Sequence, residues 1–344
     1  MRFAAALFLL LTWANLDAAT GEVVQLIYAS PYSPNHPFSR ADQEWIEFVE
    51  SHSAGKLHIR PIWSGALLSA DQSMTELRHG VADIGLITPI YAKGGAHLIR
   101  IQAGFYSGIK SVEDQVALYR CMATDNEQLD RELEGLKVLA VQGGNLPGIV
   151  TRNREIRTLD DLAGMRLRAP TELLELLRTL GADPVSMPMG EVYSALAKGI
   201  IDGVLAPGDA FKSLHFAEIA HHFTTLEIPR GAYPARAMGM RKWDSLPPEI
   251  RETLNQGIAV WEAALARQLR QALQEGMDFA RERGVEILPI DPQQQKRFEE
   301  LYLHEAEIGA RQLTRFGIDG EALFRTARAS VTADGSVDCV IGRH

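Results

Sequence analysis

The chain has 344 residues, of which 46% are hydrophobic and 23% charged, with a formal net charge of -9. Length and balance are those of a soluble globular protein with a sizeable core and room for about two domains. A nucleic-acid binder would show a clustered Lys/Arg stripe, which this sequence lacks, so no nucleic-acid partner is expected; the acidic sum itself bears on solubility.

The chain opens on a processing signature. Arg2 is followed by an apolar run over 3–13 and by the small residues of Leu16-Asp17-Ala18-Ala19. This pattern predicts a secretory signal peptide over 1–19, cleaved after Ala18 or Ala19, and a periplasmic mature protein. The run is shorter than the ~20 residues that span a bilayer, and no later segment is long enough. Export permits a disulfide between the two cysteines, Cys121 and Cys339, but spacing alone leaves two separate thiols equally open.

Residues 23–29 read as a strand ended by Ser30-Pro31. A helix follows over 36–53, with Phe38, Ala41, Trp45, Phe48 and Val49 on one face. Strands are predicted over 57–63 and 82–87, a helix over 70–80, and a strand over 136–141 before the Gly/Pro-rich stretch 143–148. The rhythm repeats with a capped short helix after Thr158, a strand over 166–169 and a helical segment over 171–180. Strands over 185–187 and 202–205 then flank a helix over 190–197. Such alternation implies α/β layers with largely parallel pairing. Between Pro247 and Gly284 apolar residues recur at three- and four-residue steps without an internal proline. That helix would be roughly 50 Å long and cross more than one domain, with kinks expected at Gly257 and Gly276. A further helix is predicted over 298–316, and a loose tail after Ser330.

No nucleophile elbow, P-loop, zinc-protease or Cys-x-x-Cys motif is present. His221 and His222 are adjacent, so in a strand they face opposite sides and do not share a metal. No cofactor and no metal are expected. The informative stretch is Gly164-Met165-Arg166-Leu167-Arg168-Ala169-Pro170. It places Arg168 at the end of a buried strand beside a helix start. A guanidinium there matches a carboxylate in two bonds, and the helix end favours an anion. The bland alternative is an arginine that bridges Asp160 or Glu172.

Three segments then carry a family resemblance. Residues 156–170, with Thr158, Asp161, Gly164, Arg168 and Pro170, resemble the "I-x-t-p-x-D-l-x-G-l-k-i-R-v-p" segment of TRAP-transporter solute-binding proteins of the DctP type. Residues 181–196, with Gly181-Ala182, Pro184, Glu191, Tyr193 and Ala195-Leu196, resemble their "G-A-x-P-x-x-m-p-f-s-E-v-Y-x-A-L". Residues 199–203 resemble their "G-x-v-D-G". Residues 55–57, 80–85 and 242–247 fit in consistent order. The resemblance implies an α/β, two-domain periplasmic-binding-protein-like fold with a long helix spanning both domains. The lobes would comprise 20–145 plus about 232–270, and 146–231 plus about 271–330, with 331–344 as a tail. It also implies a monomeric periplasmic receptor that gives a small-molecule carboxylate to TRAP permease membrane subunits, with Arg168 on the ligand carboxylate.

The departures shape the expected ligand. Related receptors often carry a second arginine upstream, where this chain has Gly148, with Arg152 near but unaligned. Ala206 replaces an asparagine before Pro207, Thr88 a glutamate, and Met189 an aromatic. Fewer polar anchors imply a roomier, apolar pocket and a monocarboxylate with an apolar or aromatic body. Strand-end logic adds Tyr32, Ser33, Trp63, Pro207, Tyr91 and Phe211 to the candidates. Two other readings stand beside this one: a secreted α/β enzyme without a recognised motif, and a receptor presenting ligand to a membrane sensor.

Overall fold

The computed structural model describes residues 23–340, so the expected signal peptide lies outside the described residues. Among them eleven strands form two sheets: β1 (Val24–Ala29), β2 (Leu57–Ile62), β3 (Ile84–Leu86), β4 (Leu136–Gln142), β5 (Gly148–Thr151), β6 (Arg166–Arg168), β7 (Asp183–Val185), β8 (Gly203–Ala206), β9 (His222–Thr224), β10 (Tyr233–Gly239) and β11 (Glu286–Leu288). The first sheet runs β2-β1-β3-β10-β4 and the second β11-β9-β5-β8-β6-β7. β1, β2 and β3 pair in parallel, as do β6, β7 and β8, while β10 and β5 run antiparallel to their neighbours.

This order requires the chain to change sheets three times, twice through short segments and once through the long helix between β10 and β11. Residues 143–147 lead from β4 to β5, and residues 225–232 return from β9 to β10. The outgoing crossing is tied down at both ends. Gln115 exchanges two hydrogen bonds with the Gly144 backbone, at 2.7 and 3.0 Å. Asn145 donates to Asp209 Oδ1 at 2.8 Å and to Leu269 O at 3.0 Å. One side chain thus joins the crossing, the second half and the long helix.

The long helix, Pro248–Glu282, has 35 residues and runs unbroken, about 52 Å at the standard rise. The two glycines expected to kink it are contact points instead. A Cβ at Gly257 would lie 2.6 Å from Trp45 Nε1, and one at Gly276 would collide with Gly208 O. The helix therefore sits close to the first-sheet helix Pro37–His52 at one end and to the chain after β8 at the other. A second helix, Pro292–Gln312, also joins both halves. Its Phe298 and Tyr302 pack with Leu167, Leu173 and Leu205, whereas its Ala306 and Ala310 pack with Leu98, Tyr106 and Val141. Phe324 and Ala327 of the final helix Gly320–Ala329 share the latter core. The stretch assigned from sequence to the second lobe, 271–330, thus packs on both, because its apolar face continues past Tyr302.

The tail after Ser330 is bound rather than loose. Val331 bridges Val337, and Cys121 and Cys339 form a disulfide across 218 residues of sequence. Closing so long a loop restricts the unfolded chain. Cys121→Ser is expected to lower unfolding free energy by about 2–4 kcal/mol, read by urea denaturation, with little change in ligand affinity.

Candidate ligand-binding site

The carboxyl ends of four strands converge between the sheets. Tyr32 follows β1, Thr88 follows β3, Arg168 ends β6 and Pro207 follows β8, and all four line one inner chamber of about 110 Å³. Ligands in open α/β sheets gather at such ends. Phe38, Ile90, Ile99, Leu173, Met189 and Leu205 give the chamber an apolar wall. A wider outer cleft of about 490 Å³ adjoins it and shares Tyr32, Thr88, Tyr91 and Met189. Those four residues form the doorway between the two spaces.

Arg168 is 2% exposed. Its Nε donates to Met187 O at 3.0 Å, and its Nη2 donates to Tyr91 Oη at 2.6 Å. Tyr91 belongs to the chain between β3 and β4, so this bond joins the two halves of the molecule. Arg230 lies on the return crossing and also lines the chamber; its Nη1 donates weakly to Asn145 O at 3.4 Å. Among the described residues neither guanidinium has a carboxylate in ion-pair contact. Buried Arg236 differs: its Nε meets Asp42 Oδ1 at 2.6 Å. A desolvated guanidinium without a counter-ion is costly, so the two chamber arginines suit an anion supplied from outside.

One acidic group faces them. Glu172 lines the chamber and is half-buried as a residue, but its Oε2 is closed off and has no donor. Burial pushes its carboxyl up to about 7, against the opposing pull of Arg168, Arg100 and Arg230. Burial likewise lowers His36 to about 3, reinforced by Arg236, Arg40 and Arg230, so this ring against Tyr32 is neutral at ordinary pH.

A family model for bacterial extracellular solute-binding proteins, family 7 (DctP), matches residues 28–305. The chain belongs to this family. A solute-binding protein of Albidiferax ferrireducens is 24% identical over 213 residues, 60% of this chain and 61% of that protein's length. A marine-metagenome TRAP solute-binding protein specific for aromatic acid ligands, solved with 3-hydroxybenzoate, is 24% identical. The match covers 90% of this chain and 98% of that one, with a TM-score of 0.79. A TRAP solute-binding protein of Rhodoferax ferrireducens T118, solved with copurified benzoate, is 24% identical over 89% of this chain and 97% of that one, with a TM-score of 0.78. The fold is the two-domain one of TRAP periplasmic solute-binding proteins.

In this solute-binding protein Arg168, Tyr32, Thr88, Met189 and Pro207 come together at the inner chamber, and Ser33 lines the outer cleft. The Thr88 hydroxyl is already given to Ala70 O and lies 3.5 Å from Ser73 Oγ, so its polar group is engaged within the protein. Four other candidates lie elsewhere. Ala206 is buried in the second-lobe core, opposite Gly148 in the β5–β8 ladder. A Cβ on Gly148 would come within 2.7 Å of the Phe223 ring, so this glycine serves packing. Trp63 packs edge-on to Tyr28 at 5.7 Å in the first core, and Arg152 lies past the far end of β5, beside Gly199. The sequence reading missed Arg230, Gln102 and Tyr233, and named Glu172 only as a possible bridge to Arg168; all four line the chamber. The only sequence signal for Arg230 is its place in Pro229-Arg230-Gly231, just before a buried strand.

Glu155, His222 and Glu286 also bring three ligating atoms within 4.8 Å of one another. Arg157 pairs with Glu155 at 2.7 Å and reaches Glu286 at 3.5 Å, so a protein cation already neutralises that acidic pair.

Proposed function

We propose that this receptor works in the periplasm as a monomer. It captures a monocarboxylate with an apolar or aromatic body in the inner chamber, leaves it chemically unchanged, and passes it to TRAP permease membrane subunits. The observation that carries this reading is a pair of chamber arginines without carboxylate partners, set in an otherwise largely apolar wall. Arg168 takes the carboxylate in two bonds, with Arg230 as the second cation, while the aliphatic and aromatic walls accept the body. Aromatic acids bound to two proteins of the same fold support the ligand class. The lobes, 20–145 with about 232–270 and 146–231 with the part of 271–330 up to Tyr302, close by a hinge at the two short crossings, 143–147 and 225–232.

A thermal-stability screen of the mature chain against carboxylic acids tests the proposal. At a hundredfold excess over the dissociation constant the right acid adds about 2.7 kcal/mol of stability, and the acid is recovered intact. Tight binding of succinate or sialic acid without binding of any apolar acid rejects the ligand class, and a product peak rejects the non-catalytic role.

Glu172 supplies a pH signature. A bound carboxylate near it disfavours its ionised form and raises its pKa further, so binding takes up protons around pH 7. The sign follows by linkage: affinity for a simple acid such as benzoate rises as pH falls through about 7 and declines above it. For a further rise of about one unit, the gain is roughly fivefold from about pH 8 to about pH 6. Calorimetry at the two pH values checks this. Glu172→Gln is expected to flatten the dependence, and a flat wild-type profile contradicts it.

A further inference from the structure

Gln102 opens the tight turn Gln102–Tyr106 and lines the inner chamber, with only 2% of its surface exposed. Its Nε2 donates to Ala232 O at 2.9 Å, which fixes the amide plane and identifies the other terminal atom as the acceptor. That acceptor, Oε1, is buried and receives no hydrogen bond. The neighbouring Tyr106 hydroxyl is committed to the same Ala232 carbonyl, at 3.4 Å. Folded proteins seldom leave a buried amide oxygen without a donor, because the desolvation is uncompensated. The groups assigned to the ligand's carboxylate, Arg168 and Arg230, come from β6 and the return crossing, and both are donors. Beside the Glu172 carboxyl, the chamber wall therefore holds an oriented neutral acceptor of opposite hydrogen-bonding character to its cationic groups.

We propose that Gln102 is a specificity residue: its Oε1 accepts a hydrogen bond from a second group, a hydroxyl or an amine, on the apolar body of the carboxylate ligand. This rests on the reading of the chamber as a monocarboxylate site. An unsubstituted acid fills the apolar space but leaves the oxygen orphaned. A site with a built-in polar partner discriminates strongly against the analogue that lacks the matching group. Hydroxyl and amine share the donor chemistry, and the substitution position that reaches Oε1 is the one that gains.

Calorimetric titration of the mature chain with benzoate and cyclohexanecarboxylate, and with their hydroxy and amino derivatives at each ring position, tests the proposal. At least one substituted acid is expected to bind roughly tenfold or more tightly than its unsubstituted parent. In Gln102→Leu, with its fold checked by circular dichroism, that ratio is expected to fall to about one. If parent acids bind and no derivative exceeds them, the inference is overturned while the monocarboxylate reading stands. A preference that survives in folded Gln102→Leu also overturns it. If neither parents nor derivatives bind, the monocarboxylate reading fails and the inference with it.

Discussion

Arg168→Ala is expected to reduce affinity for the carboxylate ligand by at least about thirtyfold, because a desolvated charge pair loses about 2–5 kcal/mol when one partner is truncated. The side chain is buried and is held from two sides, by Met187 O and by the Tyr91 hydroxyl. Its position is thus fixed before a ligand arrives, and little ordering entropy opposes binding. Arg168→Lys is expected to lose most of the affinity as well, since an ammonium cannot present the planar fork. The fold should survive both changes. Arg168 makes no ion pair among the described residues, so its removal strands no carboxylate there. Calorimetry on variants with native circular dichroism is the measurement. Unaltered affinity in folded Arg168→Ala removes the role.

The second large effect concerns stability. Asp42→Ala is expected to cost about 3–5 kcal/mol, because it leaves a buried guanidinium without its counter-ion. Asp42 is fully buried and accepts from Arg236 Nε at 2.6 Å and from Trp261 Nε1 at 2.8 Å. Arg236 also donates to Gln142 Oε1 at 3.1 Å and stands over the Trp261 ring at 4.5 Å. The network therefore ties the helix Pro37–His52, strands β4 and β10 and the long helix together behind the crossings. Chemical denaturation of Asp42→Ala, compared with the wild type, reads the loss. A change below about 1 kcal/mol contradicts the assigned weight of this pair, because that is the range of a surface ion pair.

Elements with strong periodicity were legible in the sequence. The long helix, the helix Pro37–His52 and strands β1, β2 and β4 follow from apolar spacing within a residue or two at most ends. The Thr158–Asp161 capping box was legible too, since both partners lie within one turn. Several elements were hidden, and two of them show why. Strand β5 begins within Gly143-Gly144-Asn145-Leu146-Pro147-Gly148, where turn residues mask a fully buried strand. The helix Val112–Ala123 carries its own signal, Ser111 capping the Asp114 N–H at 2.9 Å, but its apolar face is weakly separated. In the site, Arg168 was legible because a strand end and a helix start fix its surroundings locally. Arg230, Glu172 and Gln102 were not. Arg230 and Gln102 reach the chamber through tertiary packing of turns far apart in sequence, and no local pattern marks a long-range approach; Glu172 is local to Arg168 and was read only as its possible ion-pair partner. Gly148 and Ala206 show the converse: the family resemblance pointed to them as pocket positions, and here they pair in the β5–β8 ladder and pack in the core.

The central claim is that two unpaired arginines in an apolar chamber select a monocarboxylate. It is tested most directly by titrating the wild-type chain with a matched pair, benzoate and benzamide, which share size and ring but differ in charge. Calorimetry is expected to show saturable binding of the acid and binding of the amide weaker by at least about a hundredfold, because loss of the charge leaves the buried Arg168 guanidinium, with half-buried Arg230 beside it, without a counter-ion. Equal binding of the two would contradict the claim, as would binding of neither alongside tight binding of succinate.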